Sequence, residues 1–263
     1  MHVSVSLEDR IYVPDTQLPW RTIILVLATA VGIVVLATLA GFGASAVFDS
    51  WTRLNEPRAF AAGETEALLT ARVAVSLFAF QSVTILLVFA TSVFLDYSGE
   101  PFLRFGMPRG GLKTLVLSAL GLMALALLYG CLVFAVDKDA FRQDMSPFAS
   151  LMKARTWWLV LIAAGIGAPL AEECLFRGLL YGALRRSPLG IAGAAAATAI
   201  MWAFLHANYS VYGLVAITLI GIYLAFIRER TGSLLTPILC HGAYNSLIVL
   251  VLAYAPNSSL ING

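Results

Sequence analysis

Apolar and polar positions in this chain are segregated into long blocks rather than alternated. Uncharged, mostly apolar runs cover 23–48, 73–95, 114–136 and 231–255, and each matches the roughly 20 residues that a helix needs to cross a hydrocarbon core. A shorter run, 156–171, leads directly into Glu172 and Glu173. Between Arg186 and Arg228 lies an uncharged stretch about twice the spanning length. Only His206 and the weak turn signal Ala207-Asn208-Tyr209-Ser210 interrupt it. Divided there it supplies two helices, for about seven spans in all. The intervening segments read as loops. Residues 49–66 hold Asp49, Asn55, Pro57 and Gly63; residues 96–111 hold Ser98, Gly99, Pro101, Pro108, Gly110 and Gly111; residues 137–155 are charged and contain Pro147.

Composition names the solvent. The chain is 60% hydrophobic and 12% charged, about half the charge density of a soluble domain, with a mean hydropathy of +0.86. Lipid must bathe much of its surface, and the expected fold is an all-α polytopic transmembrane bundle. A net charge of +2, with no basic run interleaved with aromatics, excludes a nucleic-acid partner. Cys131, Cys174 and Cys240 are scattered through apolar segments without C-x-x-C spacing and read as small apolar residues. The polar segment Met1 to Arg21 followed by the run from Ile23 to Val47 reads as an uncleaved signal anchor.

Four regions result: a polar segment 1–21, scaffold helices 22–155, a chemical region 156–255 and a tail 256–263. A cytoplasmic N-terminus puts Arg104, Arg109, Lys113, Arg185, Arg186, Arg228 and Arg230 inside. It leaves Arg53, Arg58, Lys138, Arg142, Lys153 and Arg155 outside.

The division between scaffold and chemistry rests on ionisable groups within the spans. A charge near the bilayer centre costs at least about 2.5–3.5 kcal/mol, so such groups normally line a functional cavity. The chain up to Leu170 has essentially none inside its spans. The last part has Glu172, Glu173, Arg177, His206, His241 and Asn245. Glu173 and Arg177 are four apart on one helix face and can pair, whereas Glu172 is turned about 100° away. His241 and Asn245 are likewise four apart, and Trp202 lies one turn before His206. Each alone is compatible with a structural ion pair or an interhelical hydrogen bond. Together, on three spans, they point to one shared cavity. Helix counting leaves a depth mismatch on the order of 10 Å, which tilt or a helix beginning outside the hydrocarbon can absorb: Glu172 lies roughly 20 Å from Arg186, His206 roughly 25 Å from Ser187 and His241 about 15 Å from Thr231. Gly178 and Gly182 form a G-x-x-x-G step, and the stretch from Ala192 to Ala197 is a small-residue face, both suited to close helix approach. Pro169 frees a backbone carbonyl just before the glutamates.

These residues resemble a known family. Glu172-Glu173-Cys174-Leu175-Phe176-Arg177 is similar to the E-E-x-x-x-R motif of the CPBP family, the type II CAAX prenyl proteases and bacteriocin-processing (Abi-like) enzymes. Ala203-Phe204-Leu205-His206 stands where that family has F-x-x-x-H, with Trp202 in place of the phenylalanine. His241-Gly242-Ala243-Tyr244-Asn245 matches H-x-x-x-N/D. The resemblance covers roughly residues 155–255. It implies an intramembrane endopeptidase acting on a membrane-associated protein or peptide, in which Glu172 with His206 activates a water. His241 and Asn245 would stabilise the oxyanion, and Glu173, Arg177 and Trp202 would support the site. Donors of amide and imidazole type suit that role.

A second form keeps a metal: two histidines and a glutamate are a common catalytic zinc set, here Glu172, His206 and His241. H-E-x-x-H is absent, and the reading favoured is glutamate catalysis with no cofactor, zinc being the alternative. Other functional classes are a non-catalytic scaffold or bacteriocin-immunity protein, and a transporter or proton relay. The complete set of polar groups argues against the first, and the lack of an internal repeat against the second. A prokaryotic plasma membrane is the expected location.

Overall fold

A computed structural model describes residues 17–57, 65–95, 102–152 and 154–254. The loop signals at Gly63, Ser98, Gly99 and Pro101, the charges Arg58 and Lys153, most of the polar segment 1–21 and the tail 256–263 lie outside the described residues.

Among the described residues eight helices follow in chain order: α1 (Trp20–Asn55), α2 (Glu66–Leu95), α3 (Gly111–Val136), α4 (Lys138–Met152), α5 (Trp157–Leu184), α6 (Gly190–Phe204), α7 (Val211–Thr231) and α8 (Leu235–Tyr254). Among the described residues, six of them are long and apolar enough to cross a membrane, and α6 is a shorter apolar helix. The expectation of about seven spans is met by six long helices and this short one. The all-α membrane bundle is therefore the fold. Large apolar side chains such as Leu39, Phe42, Val93, Leu127 and Leu128 are exposed on the outer faces, where lipid takes the place of a core.

Two expectations change. Residues 137–155, read as a loop, form helix α4 over Lys138–Met152. Asp137 accepts the Ala140 N–H at 2.9 Å to start it, and burial of Ala140, Ala149 and Met152 carries it on through position 147. Tertiary packing of one apolar face outweighs the local breaker. The second change concerns α6, which ends at Phe204, so that His206 sits in a turn rather than in the helix. A helix of 15 residues is about 22 Å long, shorter than the roughly 30 Å hydrocarbon core. Irregular backbone at that depth is tolerated where protein covers it. The cover is α4: Asp144, itself buried, accepts from Ser210 N at 2.6 Å and Ser210 Oγ at 2.7 Å. Ser210 in turn caps α7 by accepting from Gly213 N.

Helix α5 is the central element, with 50% of its most apolar window buried against 11% for α3. It is not a regular α-helix throughout. Five residues, Ala163–Gly167, and seven, Cys174–Leu180, are wound as π-helix. The first lies immediately before Pro169, which lacks an N–H and would crowd the carbonyl four residues back in an α-helix. A wider turn relieves that crowding and leaves carbonyls open to other donors. Gln81 of α2 donates to Ala163 O at 3.0 Å, and Asn245 of α8 donates to Ala164 O at 2.9 Å.

Candidate functional site

The polar groups gather where α5, α6, α7 and α8 meet. Glu173 and Arg177 are both wholly buried. Arg177 Nη1 donates to Glu173 Oε1 at 2.8 Å, and Nη2 donates to Gly221 O of α7 at 3.2 Å. Gly221 makes this possible, because a Cβ there would stand 2.8 Å from Ala199 Cβ and 3.1 Å from Arg177 Nη2. The guanidinium also lies over the Trp202 ring, 4.5 Å from its centroid, an arrangement that favours a desolvated cation. The pairing expected from the four-residue spacing is thus present, and it carries further than one helix.

Glu173 Oε1 also meets His241 Nδ1 at 2.9 Å. Sequence spacing gave no sign of this contact, because it joins residues on α5 and α8. The hydrogen bonds determine the tautomer. Asn245 Nδ2 faces the Ala164 carbonyl, which can only accept, and the same nitrogen lies 3.1 Å from His241 Nε2. Nε2 therefore accepts, and Nδ1–H donates to the carboxylate. A buried line runs from Arg177 through Glu173 and His241 to Asn245. Gly242 lets α8 come this close, since a Cβ there would stand 2.6 Å from Gly165 O. In this resting arrangement both Asn245 N–H groups are engaged.

Glu172, turned away from this line as its position predicts, is only half-buried. Its Oε2 accepts from Trp202 Nε1 at 2.6 Å. His206 Nδ1 is 3.0 Å from Trp202 O. A carbonyl only accepts, so Nδ1 carries the proton and Nε2 presents its lone pair. The Trp202 ring meets the His206 ring edge-on at 5.5 Å and the His241 ring at 5.3 Å. One residue thus touches Glu172, Arg177, His206 and His241. No direct hydrogen bond links Glu172 to His206 among the described residues. Tyr209, in the turn, closes the far side with its ring 5.9 Å from that of His206.

A zinc ion would need Glu172, His206 and His241 around one point. Among the described residues no three His, Cys, Asp or Glu side chains are grouped closely enough to hold a metal. Both ring nitrogens of His241 are already engaged. The donor set as arranged does not fit the ion.

The G-x-x-x-G step acts differently from the helix contact expected. A Cβ on Gly178 would stand 2.5 Å from Leu103 Cδ2, and one on Gly182 would stand 2.9 Å from Phe102 Cδ1. The glycines accept the segment before α3, which seals α5 on its scaffold side. Gln81 is the supporting residue that sequence reading missed. A single glutamine in an apolar run, buried and aimed at the π-turn, was its only signal.

No curated protein and no solved structure matches the chain. Residues 154–247 match the family model described as type II CAAX prenyl endopeptidase Rce1-like, a stretch that contains every site residue from Glu172 to Asn245. Over this region the match supports the resemblance to the CPBP family of CAAX-type intramembrane proteases.

Proposed function

We propose that the chain is an integral-membrane endopeptidase that hydrolyses a peptide bond of a membrane-associated protein or peptide, with Glu172 as the general base. The observation that carries this reading is the division of labour between the two adjacent glutamates. Glu173 is wholly buried and neutralised by Arg177, so it cannot reach a water. Glu172 is half-buried, makes no ion pair among the described residues and is oriented by the Trp202 indole. A carboxylate positioned in this way can take a proton from water. His206 Nε2 accepts the water's other hydrogen and so orients the attack. The water oxygen bonds to the scissile carbonyl carbon, whose oxygen gains the charge. The proton held on Glu172 then passes to the leaving amine as the C–N bond breaks.

Asn245 receives the oxyanion through Nδ2–H, and His241 joins it in its doubly protonated form, with Nε2–H turned to the oxygen and Nδ1–H kept on Glu173. For this, one Asn245 N–H leaves its resting partner, and the Glu173–Arg177 pair holds the imidazole in place while it does. Donors aimed at charge that develops only in the transition state act on kcat. The cytoplasmic N-terminus belongs to the same proposal, resting on the Lys and Arg bias of the short loops.

The test is cleavage of membrane-tethered peptides, with and without a prenylated C-terminal cysteine motif, by protein purified in nanodiscs. Cleavage lost in Glu172→Gln supports the proposal. A protein that folds normally and cleaves none of these peptides is instead a scaffold.

A further inference from the structure

At the opposite end of α5 from Trp157 lies a cavity of about 50 Å³, room for roughly three or four waters or one phosphate group. Arg104, Arg109, Arg177, Arg185, Arg186 and Arg228 line it, against Glu229 as the one carboxylate of the lining. Glu229 is already committed: Arg185 Nη1 donates to both of its oxygens at 2.9 and 3.0 Å, and Tyr181 Oη donates at 2.9 Å. Arg177 is committed to Glu173. The remaining guanidiniums crowd one small concavity, where like charges repel. Two of the lining side chains also have buried N–H groups without a partner, Arg177 Nε and Arg228 Nε. Arg177 itself is wholly buried. A buried donor left unsatisfied costs about 1–3 kcal/mol. Concentrated positive charge, unsatisfied donors and an opening of this size are together complementary to an oxyanion.

We infer that this cavity binds a phosphate-type oxyanion at the membrane surface, and that the headgroup of an anionic phospholipid supplies it. The level of the cavity supports the lipid. It lies where α5 and α7 end, and Leu18 N donates to Arg186 O at 2.9 Å, which brings the start of α1 beside it. Trp20, the first residue of α1, is 60% exposed there. An exposed tryptophan at the end of a spanning helix marks the headgroup zone. Arg104 and Arg109 are exposed at this end and can meet a headgroup first. Guanidinium is the group best matched to phosphate, since its parallel N–H pair binds two oxygens at once. Because Arg177 lines the cavity and also holds Glu173, an occupying anion would reach the buried line of the site through one side chain.

The experiment is binding to the full-length protein in neutral detergent, read by native mass spectrometry and by thermal unfolding. Short-chain phosphatidic acid, inorganic phosphate and phosphatidylcholine are the probes. Phosphatidic acid should bind at least tenfold more tightly than phosphatidylcholine, and added salt should weaken it. Arg109→Gln and Arg228→Gln should each lower its affinity about tenfold, as expected for loss of one charge-assisted contact. Arg104→Gln, at an exposed position, gives a further variant that keeps the fold. Inorganic phosphate binding as tightly as the lipid, with the same variant losses, supports the oxyanion site and assigns it to a soluble anion. Equal binding of phosphatidylcholine, or unchanged affinity in the arginine variants, overturns the inference. Since the readout is binding, its failure leaves the peptidase reading intact, and loss of peptidase activity leaves this site intact.

Discussion

Replacing each of the two adjacent glutamates by glutamine removes one charge in each case, yet the consequences should differ in kind. Glu173 is buried against Arg177 and His241. Taking away its charge leaves a buried guanidinium whose remaining hydrogen-bond partner is the Gly221 carbonyl. Breaking a buried pair in this way costs about 3–5 kcal/mol, a large share of the roughly 5–15 kcal/mol that holds a typical domain folded. Glutamine at 173 keeps a carbonyl oxygen that can accept from Arg177 and His241, but as a neutral group it no longer balances the guanidinium charge. Glu172 is only half-buried, and glutamine there still offers a carbonyl oxygen to the Trp202 indole. A neutral bond in place of a charged one changes stability by about 1 kcal/mol or less. The same change removes the proposed base, and a lost general base lowers kcat about a hundred- to ten-thousandfold. Thermal unfolding of both variants in nanodiscs, beside steady-state cleavage of a quenched membrane-tethered peptide, separates the two effects. Glu173→Gln should be the unstable variant and Glu172→Gln the folded, inactive one. A Glu172→Gln protein that cleaves at the wild-type rate, or a Glu173→Gln protein as stable as wild type, refutes the division of roles.

Trp202→Phe keeps a ring between the histidines but removes the indole N–H from Glu172, and should lower kcat about ten- to a hundredfold with little change in KM. Unchanged kinetics in this variant would reduce Trp202 to packing. Asn245→Ala should lower kcat about a hundred- to a thousandfold, and should also lower thermal stability, because Ala164 O loses its side-chain donor; a rise in KM alone would make the residue a substrate-binding group. Exhaustive chelation followed by elemental analysis should leave activity intact and find no stoichiometric metal, whereas loss of activity restored specifically by zinc would withdraw the glutamate mechanism.

Much of this protein follows from the one-dimensional pattern, because lipid imposes a simple rule. Backbone polar groups cannot be left to a hydrocarbon solvent, so a long apolar run becomes a helix almost regardless of its neighbours. The spans were legible for that reason. So was the Glu173–Arg177 pair, because four residues along one helix is a local relation. The residues that differ from this pattern depend on contacts between helices. Helix α4 forms because its apolar face finds a place against the bundle, which position 147 in isolation would not predict. The turn at His206 is held by Asp144, whose partner Ser210 is 66 residues away. The bond from His241 to Glu173 crosses 68 residues, and that from Asn245 to Ala164 crosses 81. The last of these depends on Pro169 opening a carbonyl and on Gly242 admitting α8. Periodicity can place a side chain on a helix face. Which helix that face meets, and at what height, is set by packing in three dimensions, and there the two glutamates acquired different partners.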